Sequence, residues 1–225
     1  MDFQNRDHIT IFLVIVGFAL SRIPYVGKYF KVANTLIHET GHALMALLTS
    51  GDVVSVALFA DTSGTAVTKS KSKFGQFLIS LAGYPFASAT AFVFFYLIKN
   101  DRSWLVLYFL AGFAALNLIF FIRNKYGIFW LITFLLLLFA DFYFGNDFWI
   151  FMCVTFITGI ITSESVFSSF ELIYISIKTP KQSGDAKNLA SIAWLPPFLW
   201  ALLFAVQACL FAYLTIMLYF PQSNL

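Results

Sequence analysis

Charge is what this sequence has least of. Lys, Arg, Asp and Glu make up 11% of its 225 residues, where a water-soluble domain carries about a quarter. A soluble globular protein is therefore excluded. The net charge of +3 is too small and too scattered to serve a nucleic acid. Cysteine is as scarce: Cys153 and Cys209 both sit in apolar runs, which excludes a disulfide framework or a cysteine metal cluster and makes them small buried hydrophobes. Met1 to Asp7 is polar with mixed charge, and no small-residue cleavage site follows the first apolar run. A removable signal peptide is not expected, and that run should stay as an anchor. There is no internal repeat and no low-complexity tract.

What is present is apolar and aromatic. Hydrophobic residues are 60% of the chain, aromatic ones 20%, with 29 Phe and a mean hydropathy of +0.83. This is the composition of an all-α polytopic membrane protein, read as one integral-membrane domain over 1–225. Apolar runs predict spans over about 9–23, 30–49, 74–98, 104–122, 126–140, 148–162 and 189–220. The count is about six to seven, uncertain around 148–178, where 163–178 continues as a helix or a re-entrant piece. Gly83-Tyr84-Pro85 interrupts the third span, as a kink or as a place where another backbone comes close. Pro196-Pro197 bends the last one early. Lys and Arg near the span ends weakly favour a cytosolic N-terminus, with the hairpin described next on the same side.

One stretch is not helical. Over about 51–73, Val54, Val56 and Leu58 alternate with Ser55 and Ala57, and Asp61-Thr62-Ser63-Gly64 reads as a turn before Thr65 to Thr68. That is a β-hairpin signal. It is either a plain interfacial loop or an edge strand onto which an extended peptide can add. Lys69, Lys71 and Lys73 after it form a membrane-surface anchor.

The chain has only three histidines and three glutamates, and most of the chemistry is concentrated in His38-Glu39-Thr40-Gly41-His42. On a helix, residues four apart share a face, so His38 and His42 can point at one metal ion. Glu39 can reach the open side of that ion, where a bound water would sit, and take its proton. Two helix histidines satisfied by neighbours would be the bland alternative. At membrane depth ionisable groups are costly, and the cost favours function. Asn34 and Thr35 add to the same polar side, which should face the protein interior. Two histidines rarely complete a catalytic zinc site, and His8 lies before the first span. The candidate third ligands are acids. Asp141 and Asp147 fall on the other side, and Glu164 reads as a helix-end residue. Glu171, about seven residues from Lys178, matches the depth of His42 counted from Ser50. Asp185, in the following polar loop, can reach inward or cap the helix starting near Ala186. Both stay open.

With those residues located, the chain resembles the site-2-protease-type intramembrane metallopeptidases, in their compact bacterial and plant group. His38-Glu39-Thr40-Gly41-His42 matches H-E-x-G-H. Asp61 to Thr65 is similar to the polar hairpin tip, and Leu81-Ala82-Gly83-Tyr84-Pro85 resembles the A-G-Y-x/P element. Gly184 to Ala190, with Pro197 and Trp200, resembles the S-D-A-x-x-L-A…P…W signature. The resemblance implies cleavage of membrane-spanning substrates, with Zn2+ on His38 and His42 and Glu39 as base. The aspartate of an N-P-D-G-like or L-D-G-like element, usual in the larger family, is missing. Asp185 matches a recurring aspartate of the group, and Glu171 falls where relatives carry an acid. No PDZ or other soluble module is expected. The expected partners are membrane protein or peptide substrates and the bilayer. A membrane scaffold that has lost catalysis is the first rival reading. A transporter is the second, and it would want ionisable residues strung through several spans.

Overall fold

In the computed structural model, which describes residues 3–220, the chain forms eight α-helices and one antiparallel two-stranded sheet. Helices α1 (Phe3–Ser21) and α2 (Val26–Leu48) meet at 108°. Pro24 has no N–H to continue α1, and Tyr25 turns the chain with φ at 67°. The two expected spans over 9–23 and 30–49 are thereby joined into one sharply bent pair. Five helices are long and apolar enough to cross a membrane, six with this bent pair counted once.

The expected hairpin is present as β1 (Asp52–Leu58) and β2 (Gly64–Lys69), with Val56 opposite Ala66 and Leu58 opposite Gly64. Asp61 holds the turn, its Oδ1 accepting from Ser63 N–H at 3.0 Å and from Ser63 Oγ at 2.6 Å. Those bonds favour the ionised form and keep the Asp61 carboxyl below the usual carboxylate range. The outer edge of β1 is occupied. Val56 bridges in parallel to Ile122, while Asn124 donates to Leu58 O at 2.6 Å and accepts from Leu58 N–H at 3.2 Å.

Helix α3 (Lys73–Lys99) starts on Ser72, whose Oγ accepts from Gly75 N–H at 2.9 Å. Gly83-Tyr84-Pro85 does not end the helix, and Pro85 lies inside α3. Proline costs one ladder bond, which neighbouring helices can absorb in a membrane. Helix α4 (Ser103–Leu116) widens into a π-turn over Asn117–Phe121, and α5 (Lys125–Phe144) returns. Helix α6 (Asp147–Lys178) is one unbroken helix, so no re-entrant piece exists over 163–178. The last expected span divides instead into α7 (Gly184–Ile192) and α8 (Pro197–Tyr219), because Pro196-Pro197 supply no N–H to carry the ladder across.

The connections define two ends. The hairpin, the α4–α5 turn and α7 share one. The other holds the α3–α4 and α5–α6 turns and the tail of α8, where Tyr219 donates to Phe95 O at 3.3 Å. The start of α1 is at this second end: Lys99 pairs with Asp7 at 2.5 Å, and Arg6 pairs with Asp101. The start of α1 and the hairpin are therefore at opposite ends of the bundle, which does not fit the expectation of one shared side. Trp130, Phe134, Phe94, Phe95 and Phe151 fill the centre, while Phe129, Leu136 and Val206 are exposed outward, as lipid-facing residues must be.

Candidate metal centre

Helix α2 is apolar on the side buried against the bundle, through Val32, Leu36, Ile37 and Ala43, and presents its polar side to a cavity of about 840 Å³. That cavity is also lined by Thr65 to Thr68 of β2, by Tyr84 of α3 and by Asp185 of α7. The helix is held at this rotation from behind. Buried Asn117 donates through Nδ2 to Thr40 Oγ1 at 2.7 Å, and Thr40 donates to Leu36 O at 2.6 Å.

Within the cavity one ligand atom each from His38, His42 and Asp185 lies within 4.8 Å of the others. The two Nε2 atoms are 3.0 Å apart, and Asp185 Oδ2 is 3.3 Å from His38 Nε2 and 3.1 Å from His42 Nε2. His42 Nδ1 is 2.7 Å from Ile79 O. A carbonyl only accepts, so Nδ1 carries a proton, and in the neutral ring this leaves the Nε2 lone pair facing inward. Two ring nitrogens and a carboxylate oxygen thus converge, a set that could hold a cation between them. Tetrahedral zinc, with bonds of about 2.0–2.1 Å, sets its ligands roughly 3.3 Å apart. The donor set fits that ion in type and in spacing. Asp185 is at the start of α7, behind Ser183 at the cap position, so it does not cap the helix. Burial opposes its charge, but the charge and hydrogen bonds of the two rings in their protonated form outweigh this and hold its carboxyl well below the usual range.

The walls are as close as the ligands. Gly83 lies directly against both rings: a Cβ there would overlap His42 Nε2 and come within 2.5 Å of His38 Nε2. The next residue, Tyr84, meets the His38 ring edge to face at 4.6 Å and stacks on Phe204 at 4.8 Å. Glu39 is buried, 5% exposed, beside the start of β2. A Cβ on Gly64 would lie 2.7 Å from Glu39 Oε1, so only glycine lets the strand start this close to the carboxylate.

Of the candidate residues, the structure brings together His38, His42, Glu39 and Asp185. Glu171 is on the exposed side of α6 and does not join the group. Asp141 and Asp147 are at the far end with the α5–α6 turn, as expected. Glu164 is not at a helix end. It is buried inside α6 and pairs with Arg22 at 2.8 Å and Lys31 at 3.2 Å. The Ile79 carbonyl and the Tyr84 contact were not foreseen. A backbone acceptor has no sequence signal, while Tyr84 stands next to a glycine already marked for close approach.

The fold and this cluster define a polytopic membrane protein with a two-histidine, one-aspartate group beside a buried glutamate. The family comparison assigns it further. The family model described as Peptidase M50B-like matches residues 9–215, and the chain belongs to that family, the site-2-protease family. No curated protein and no solved structure matches the chain.

Proposed function

We propose that the protein is a zinc-dependent intramembrane endopeptidase that cleaves membrane-spanning substrates. The observation that carries this reading is the convergence of three ligand atoms beside Glu39, in a cavity lined by Thr65 to Thr68 of β2. His38, His42 and Asp185 would hold the ion. When bound, zinc supplies Lewis acidity that polarises the scissile carbonyl and makes water a better nucleophile at neutral pH. Glu39 takes a proton from the attacking water and returns it to the leaving amine.

The substrate must present its peptide bond unwound. With the outer edge of β1 taken by Asn124 and Ile122, the open edge is that of β2, along Thr65 to Thr68. An extended segment adds there through backbone hydrogen bonds and passes Glu39. Lys69, Lys71, Lys73, Arg123, Lys125, Lys178, Lys181 and Lys187 belong to the hairpin end, against Arg6, Lys99 and Arg102 at the other. This bias makes the hairpin end cytosolic and the start of α1 external.

The test is Glu39→Gln in the full chain, reconstituted with a membrane-spanning reporter. Zinc content should stay at the wild-type level while cleavage falls at least ~10³-fold, the scale of a lost general base or more. Cleavage that persists in Glu39→Gln would sink the enzyme reading, and a scaffold would show none in either protein.

A further inference from the structure

Asn34 is one helical turn before His38, on the same cavity wall. It is 7% exposed, and its Oδ1 is buried without a hydrogen-bond partner. An unpaired buried amide costs free energy that an alanine or leucine at this position would not. Its other amide and hydroxyl neighbours differ from it. Thr35 donates to Thr62 O at 2.7 Å, and Gln76 and Asn188 are exposed, where water can satisfy them. Asn34 is thus a polar side chain of the motif helix whose carbonyl end has no partner in the fold.

We infer that Asn34 is a substrate-positioning residue, whose carboxamide takes up a backbone peptide group of the extended substrate. The inference rests on the proposed peptidase reading. A carboxamide offers one acceptor and a donor pair, the complement of a peptide group. Four residues of helix rise place it ~6 Å from His38, which is about two residues along an extended chain. Strand β2 begins against this stretch of α2: a Cβ on Gly64 would lie 2.5 Å from Thr35 Cγ2 and 2.8 Å from Glu39 Cγ. A chain laid on that edge is carried past Asn34. The group it reads is therefore the second peptide bond from the one cut. It contributes to holding the substrate extended and independent of side-chain identity.

The experiment uses the zinc-loaded full chain and three probes. One is a hydroxamate-capped tripeptide. The second is its depsipeptide twin, with an ester in place of the second peptide bond from the hydroxamate. Acetohydroxamate, which has no peptide, is the third. Wild type should bind the amide probe roughly tenfold more tightly than the ester probe. Asn34→Ala, and Asn34→Leu which restores the volume, should bind the two within about twofold of each other while holding acetohydroxamate as wild type does. A merely structural asparagine would weaken both peptide probes and leave their ratio intact, and that outcome overturns the inference. So does a wild type without amide preference. A wild type that takes up neither zinc nor acetohydroxamate removes the peptidase reading itself, and this inference with it.

Discussion

Two clusters of ionisable residues lie inside this apolar bundle, and they are built on opposite principles. In one, Glu164 is closed in by Arg22 at 2.8 Å and Lys31 at 3.2 Å, with Arg22 over the Phe167 ring at 4.1 Å. Each charge there finds its partner within the fold, and nothing more is required. In the other, two imidazole nitrogens and a carboxylate oxygen face one another at 3.0–3.3 Å with lone pairs inward. That arrangement could hold a cation. Ionisable side chains inside the bundle are thus closed on opposite charges in one place and gathered around a possible cation position in the other. What separates them is whether the partners come from the chain.

The sharpest way to break this distinction is to remove one ligand at a time. Structural zinc sites are worth roughly 10–16 kcal/mol over four ligands, so one ligand carries ~3 kcal/mol, or more than a hundredfold in affinity. Asp185→Ala should lose zinc by at least about that factor, and Glu171→Ala should hold it as wild type does, both read by metal titration of the purified chain. Reversal of the two would assign the third ligand to Glu171 and dissolve the cluster described here.

That pair of acids also shows where sequence reasoning reaches its limit. The spacing of His38 and His42 was legible because four residues on any helix share a face. The hairpin was legible because Val54, Val56 and Leu58 alternate. The choice between Glu171 and Asp185 was not, because it depended on counting depth from helix ends. That count took α2 as a separate span read in from Ser50, whereas α2 meets α1 at 108° and forms half of a sharply bent pair. It also placed a helix boundary near 163 that does not exist in α6, and so misread Glu164. Hydropathy reports how apolar a segment is. It carries no record of the angle at which Pro24 and Tyr25 turn the chain, nor of the α7 packing that brings in Asp185.

A smaller perturbation sharpens the comparison without touching a ligand. Gly83→Ala adds one carbon where the rings already fill the space. The imidazoles must shift, and the loss should resemble that of outer-shell changes, about tenfold to a hundredfold in zinc affinity. Helix propensity works the other way, since alanine favours α3 by up to ~1 kcal/mol. Gly83→Ala should therefore weaken the metal by more than it lowers the thermal midpoint of the metal-free protein, where helix propensity offsets part of the overpacking. Unchanged zinc affinity would mean that the close approach at Gly83 has no bearing on the site.

The least effect on the metal is expected from the other cluster. Glu164→Gln leaves Arg22 and Lys31 facing each other without their shared counter-charge. Breaking a fully buried pair costs about 3–5 kcal/mol, but the Arg22 side chain is 38% exposed and retains its aromatic contacts. Water and the rings take up part of the loss, which brings the expected cost to roughly 1–2 kcal/mol. On the scale of domains this size, that is a fall of about 2–8 °C in the thermal midpoint. Zinc affinity should stay within about twofold, because α2 keeps its rotation through Asn117 and Thr40 rather than through Lys31. If Glu164→Gln instead released zinc without lowering the thermal midpoint, the elbow between α1 and α2 would be part of the metal site. The division between a self-satisfied cluster and an incomplete one would then have to be redrawn.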